Sequence, residues 1–347
     1  MQKQDKIPYL AAISLFMSAL EMFIPKPIPF FRLGLANIPL LLALDMDIGS
    51  FMLLALMKGL GTSYVSGNLF SIFVLMSISQ SVISAFAMYA VSRLFGKHIS
   101  IYGISMTGAL SSASMQILIA SLYAGNGMFM FFTPLLLISF PASIITAFAS
   151  SHIRIPDRIS IEKDSEDGKS GIAIAAMLIS GLSVMMLRSP IPAAISFAAA
   201  LAFQKSTGRK IRLLPHIIML AVMVVSSAIT PEGKVLFSVF SFPVTEGALI
   251  RGMTSSLRLS AALALSQGFY KCIKPSRGII GETIIIFSAL IGRWEYTKGS
   301  ISERIEETLM LNNAIKTENN AINIPDFTII LITVILIFVL VCDYLFF

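Results

Sequence analysis

The chain has 347 residues, 56% of them hydrophobic and 13% charged, with a mean hydropathy of +0.83 and a formal net charge of +7. A soluble domain carries about 25% charged residues, so this composition excludes an ordinary soluble enzyme and predicts an all-α polytopic membrane protein. In such a protein basic cytoplasmic loops account for the positive excess, which removes nucleic acid as the partner that the charge would otherwise suggest.

Apolar runs predict spans near residues 7–24, 33–45, 48–64, 69–93, 100–123 and 128–150. Because such runs recur to the end of the chain, the first is expected to stay in the mature protein and not to act as a cleaved signal. Residues 151–170 form a polar stretch with charges of both signs, read as a cytoplasmic linker between a first membrane domain, 1–150, and a second, 171–347. The second domain resumes with spans near 172–188, 191–204 and 212–229. From Thr230 to Asn323 apolar stretches alternate with basic and polar residues, which predicts long amphipathic helices at the cytoplasmic surface. A last span, Phe327 to Leu345, closes the pattern.

Alternating the spans puts Lys3, Lys6, Arg93, Lys97, Arg154, Arg158, Lys163 and Lys169 on one side, with Lys205, Arg209, Lys210 and Arg212. The positive-inside rule then makes the N-terminus cytoplasmic. Lys26 and Arg32 fall on the other side, in the stretch IPKPIPFFRLGLAN (Ile24 to Asn37). Its three prolines each withhold a backbone donor and predict an extended external loop, with helix two starting near Leu33. Cations on the wrong side of the membrane need another explanation, such as a ligand.

Several catalytic patterns fail on spacing. The linker contains DGKS, Asp167 to Ser170, but a phosphate-binding loop needs a glycine five positions before its second glycine, and position 163 is lysine. His98, His152 and His216 have no partners at metal-ligand spacing, and Cys272 and Cys342 stand alone. No GxSxG elbow occurs. The chain is therefore expected to be no enzyme, to bind no ATP itself and to hold no permanent cofactor.

Polar residues inside predicted spans carry the remaining information, because burying them in a bilayer costs free energy unless they meet partners or a water-filled cavity. In the first domain these are Glu21, Arg32, Asn37, Lys58, Asn68, Gln80 and Gln116, with Phe30 and Tyr64 as aromatic walls. One reading is that Lys58 snorkels and the amides glue helices together. The sharper reading gathers all of them around one ligand that has an anionic part and a hydrogen-bonding ring.

RLGLANIPLLLAL, Arg32 to Leu44, resembles the signature of the Gx transporter family, whose members often carry the label heptaprenyl diphosphate synthase component I. The resemblance extends over about residues 7–150, through Glu21, the proline-rich loop, Lys58 and GALSSASMQ in the fifth span. In that last element the family usually shows a histidine and an asparagine where Ser112 and Ala113 stand here, while Gln116 is kept. Six helices with a gating first loop also resemble the substrate-binding S component of energy-coupling-factor vitamin transporters. The second domain resembles the T component of those transporters, through Thr230 to Ser266 and the amphipathic stretch after it. Arg251, Arg258 and Arg277 lie where such components carry the helices that dock onto ATPase subunits, Arg251 and Arg277 each standing before a glycine as in their tips.

An S-like half fused to a T-like half is similar to bacterial membrane proteins encoded with Rnf-type redox complexes and flavin transferases. That resemblance implies movement of a flavin, FAD, across the cytoplasmic membrane to supply flavinylated proteins outside. Arg32 and Lys58 would then hold the diphosphate, with Lys26 at the entrance. Asn37, Asn68, Gln80 and Gln116 would read the ring edge, and Phe30, Phe31 or Tyr64 would stack on it. The alternatives are an importer of another vitamin with separate ATPases, and a polyprenyl diphosphate synthase component. The latter needs paired aspartates spaced to hold magnesium; Asp45-Met46-Asp47 comes nearest but is better read as the end of a helix.

Overall fold

The computed structural model describes residues 3–21, 34–66, 72–153, 171–208, 211, 213–228, 233–239, 242–269, 278–309 and 326–346. Five helical stretches among them are long and apolar enough to cross a membrane: Ile48–Val65, Phe73–Phe95, Ile101–Tyr123, Asn126–His152 and Phe327–Leu345. The chain is a multi-pass, predominantly helical membrane protein.

Helix α1 (Lys3–Glu21) is buried continuously from Ile7 to Ala19. A helix that is apolar all round is enclosed by protein, and α1 is the central strut of the first bundle, packed against α3 (Ile48–Val65) and, from the second half of the chain, α11 (Ile279–Tyr296). The bundle is completed by α4 (Ile72–Phe95), α5 (Ile101–Ala124) and α6 (Phe132–His152), which a 3-10 turn, Asn126–Phe131, introduces. Hydroxyls tie the helices across their contacts: Ser77 Oγ donates to the Gly59 carbonyl at 2.8 Å, and Ser105 Oγ to the Ser143 carbonyl at 2.8 Å.

The span expected over residues 33–45 is not formed. Gly34 adopts φ 88°, Leu35–Asn37 make a single 3-10 turn, and α2 (Ile38–Leu42) has only five residues. Five residues rise about 7–8 Å, against a hydrocarbon core of about 30 Å. The left-handed glycine starts the segment, and Ala43, at φ −103°, ends it. Asp47 then opens α3 by accepting the Ser50 N–H at 3.0 Å, so this aspartate serves as a helix cap.

The second bundle contains α7 (Gly171–Met185), α8 (Pro190–Ser206), α9 (Leu214–Ala228), α10 (Glu246–Phe269) and α13 (Asp326–Phe346). Between α9 and α10 stands an antiparallel hairpin, β1 (Val235–Val239) and β2 (Phe242–Thr245), a small addition to a structure that is otherwise consistent with the expected all-α class. Its Val and Phe residues favour an extended backbone, and Pro243 is foreign to a helix interior.

Helix α10 corrects a second expectation. It is not a cytoplasmic surface helix but the buried axis of the second bundle, surrounded by α7, α8 and α9. Its Gly, Ala, Ser and Thr residues permit close approach: a Cβ on Gly252 would lie 2.9 Å from Val224 Cα. The polar appearance of the sequence came from hydroxyls that serve packing and from Arg258, whose guanidinium donates to the carbonyls of Met185 (3.2 Å) and Leu187 (2.9 Å) that close α7.

Among the described residues the two halves meet in two regions. Helices α11 and α12 (Ile301–Leu309) form an arm laid on the first bundle. Ile286, Phe287 and Leu290 pack with Tyr9, Ile13 and Phe16, and the Tyr9 hydroxyl donates to the Leu309 carbonyl at 2.7 Å. Ser300 and Glu303 start α12 with a reciprocal capping box, and the Ser300 bonds hold the exposed Glu303 carboxyl below its ordinary pKa. The second contact joins the turn before α6 to α9, so closely that a Cβ on Gly127 would overlap the Ser226 carbonyl oxygen. Helix α13 returns to the second bundle, packed on α7 and α8.

Candidate functional site

A polar cavity lies inside the first bundle, where α1 and α3 end. Its cavity volume is about 70 Å³, and it is open at the mouth. Helix α3 contributes Lys58, Thr62 and Ser66, spaced four apart and therefore on one face. Helix α5 contributes Ala109, Ser112, Ala113 and Gln116, again one helical face. Ser18 and Glu21 come from α1, Gln80 and Ser81 from α4, and Ser139 from α6. The broken segment supplies Gly34, Ala36 and Asn37.

Hydrogen bonds between segments fix the lining. The Lys58 ammonium donates to Asn37 Oδ1. Ser112 Oγ donates to Gln80 Oε1 at 3.1 Å, and the hydroxyls of Ser18 and Thr62 meet at 3.0 Å. Among the described lining residues two are charged, Glu21 at 3% exposure and Lys58 at 8%. Buried charges are tolerated in a bilayer when they are paired or face a polar cavity. Here a carboxylate and an ammonium line the same one.

Of the residues singled out from the sequence, the structure brings together Glu21, Asn37, Lys58, Gln80 and Gln116. Tyr64 does not line the cavity: it follows Thr62 by two positions, a turn of about 200° that puts it on the other side of α3. Arg32, Phe30 and Asn68, with Lys26 and Phe31, lie outside the described residues, as does Arg277. Arg251 is half-buried in the second turn of α10, and Arg258 lies within the bundle, its guanidinium 5.6 Å from the centre of the Tyr123 ring. Neither stands at an exposed helix tip.

The hydroxyls of Ser18, Thr62, Ser66, Ser81, Ser112 and Ser139 were missed as lining groups. In membrane helices serine and threonine so often serve packing that they carry little signal alone. The spacing from Lys58 to Thr62 and Ser66 was the available clue.

Residues 10–153 match a family model described as heptaprenyl diphosphate synthase component I, the label attached to the family that RLGLAN resembles. Residues 170–272 match a domain of unknown function. No curated protein and no solved structure matches the chain. The membrane-spanning helices and the first family match together support a membrane transporter.

Proposed function

We propose that this chain moves a flavin, FAD, across the bacterial cytoplasmic membrane to supply flavinylated proteins outside, with its N-terminus cytoplasmic. The first bundle binds the flavin and the second bundle, with its α11–α12 arm, is the body against which the first moves. The observation that carries a ligand-binding role is the convergence of Glu21, Asn37, Lys58, Gln80 and Gln116 from separate segments onto one buried cavity. Helix glue alone would not require them to share a space. The flavin itself rests on the resemblance to proteins encoded with Rnf-type complexes, and the amide-rich lining supports it because a flavin ring presents carbonyls and an N–H along one edge.

The test is mass spectrometry of small molecules retained by the purified protein, followed by flavin fluorescence titration. Retention of a flavin and loss of flavinylated exported proteins in a deletion strain are expected. Normal flavinylation in that strain would overturn the physiological claim.

A further inference from the structure

Resting on the flavin reading, we infer that the cavity receives the uncharged, carbonyl- and hydroxyl-bearing part of the ligand, that phosphates remain outside it, and that Lys58 is a positioning residue for the Asn37 amide. The sequence suggested the opposite role for Lys58, as a cation for the diphosphate.

Three features of the site argue for this. The first is charge: Glu21 and Lys58, both buried in the lining, balance one another. A diphosphate entering this space would meet a carboxylate in a medium of low dielectric, where like charges repel strongly. The second is chemistry of the walls. Among the described lining residues the non-charged side chains are amides, hydroxyls, alanines and glycine, with no aromatic or large aliphatic side chain. A prenyl tail would bury those hydroxyls without partners, whereas a ribityl chain or a pyrimidine edge satisfies them.

The third is the orientation of Asn37. An ammonium only donates, so the amide oxygen must be the atom facing Lys58, and the amide nitrogen is turned away from it. Lys58 thereby fixes Asn37 as a donor toward an acceptor such as a ring carbonyl. Ser112, donating to Gln80 Oε1, holds the second amide across the cavity.

Riboflavin, FMN and FAD share the ring and ribityl chain and differ in phosphate content, so titrating all three separates the roles. For Lys58→Met and for Asn37→Ala, each is expected to lose affinity by the same factor, about tenfold. A selective loss of FMN and FAD in Lys58→Met, with riboflavin unchanged, would overturn the inference while leaving the flavin reading intact. Tighter binding of FAD relative to riboflavin in Asn37→Ala, which releases Lys58 from its amide, would overturn it in the same way. Should the unaltered protein bind none of the three, the flavin reading falls and the inference with it. Asn37→Ala keeps both buried charges, Glu21 and Lys58, and so guards against a Lys58 variant that does not fold.

Discussion

Gly59 follows Lys58 on α3, and its backbone lies directly against α4. A Cβ there would sit 2.9 Å from Ile78 Cα and 3.1 Å from the Ser77 carbonyl oxygen, both backbone atoms that cannot rotate away. Carbon atoms prefer about 3.5–4.0 Å, so Gly59→Ala must part the helices by about 0.6–1.1 Å. The Ser77 Oγ bond to the Gly59 carbonyl, 2.8 Å in the native packing, would stretch to the edge of hydrogen-bonding range. Overpacking of this kind costs about 1–3 kcal/mol. The same displacement separates Lys58 and Thr62 on one wall from Gln80 and Ser81 on the other, although none of these residues is changed. Binding sites tolerate about 0.5 Å of misplacement, so ligand affinity should fall tenfold or more. Thermal unfolding in lipid nanodiscs and flavin titration measure the two effects together. Destabilisation with unchanged affinity would refute the claim that α3–α4 spacing sets the cavity; neither effect would refute the packing itself. Ser77→Ala separates the lost hydrogen bond from the steric push, and should cost only about 0.6 kcal/mol, as such bonds average in membrane proteins.

Arg258→Ala should destabilise the protein by about 1–3 kcal/mol, because it strands the carbonyls of Met185 and Leu187 inside the bundle; Arg258→Lys should not rescue it, since an ammonium lacks the planar fork. Denaturation in detergent reads this, and wild-type stability of the alanine variant would contradict the buried placement. Tyr9→Phe removes one bond between α1 and the end of α12 and should cost about 0.5–1.5 kcal/mol. Because that bond closes the arm on the first bundle, proteolysis within 297–309 should accelerate in Tyr9→Phe more than cleavage elsewhere.

The first bundle was legible because burial in a bilayer makes charged and amide side chains expensive. Glu21, Lys58, Gln80 and Gln116 stand out against apolar neighbours, and each lines the cavity. Helix α10 was misread for the converse reason. Its Ser, Thr, Gly and Arg residues lower the hydropathy of the stretch as a surface helix would, yet small hydroxylated side chains satisfy themselves on their own helix, as Thr254 does on the Ile250 carbonyl at 2.7 Å. One guanidinium nitrogen of Arg258 donates to carbonyls about 70 residues away, which no local window contains. The resting place of α11 was equally hidden: an apolar face at helical spacing tells that Ile286 and Leu290 are covered, but not that α1 covers them.

The failed span at residues 33–45 and the cavity account for each other. A five-residue helix flanked by a 3-10 turn leaves more backbone donors and acceptors outside regular helix than a membrane interior accepts, unless they are buried in protein or line a polar space. Gly34, Ala36 and Asn37, the residues of the break, are among those that line it. The 3-10 turn that follows the left-handed Gly34 carries Asn37, which accepts from Lys58. Conversely, a pocket walled only by regular helices would offer side chains alone, whereas the break adds backbone groups to the lining. On α1, Phe16 meets Trp294 of the arm, with ring centres 5.7 Å apart, while Ser18 and Glu21 face the cavity. Helix α1, buried from Ile7 to Ala19, therefore touches both the arm and the polar cavity.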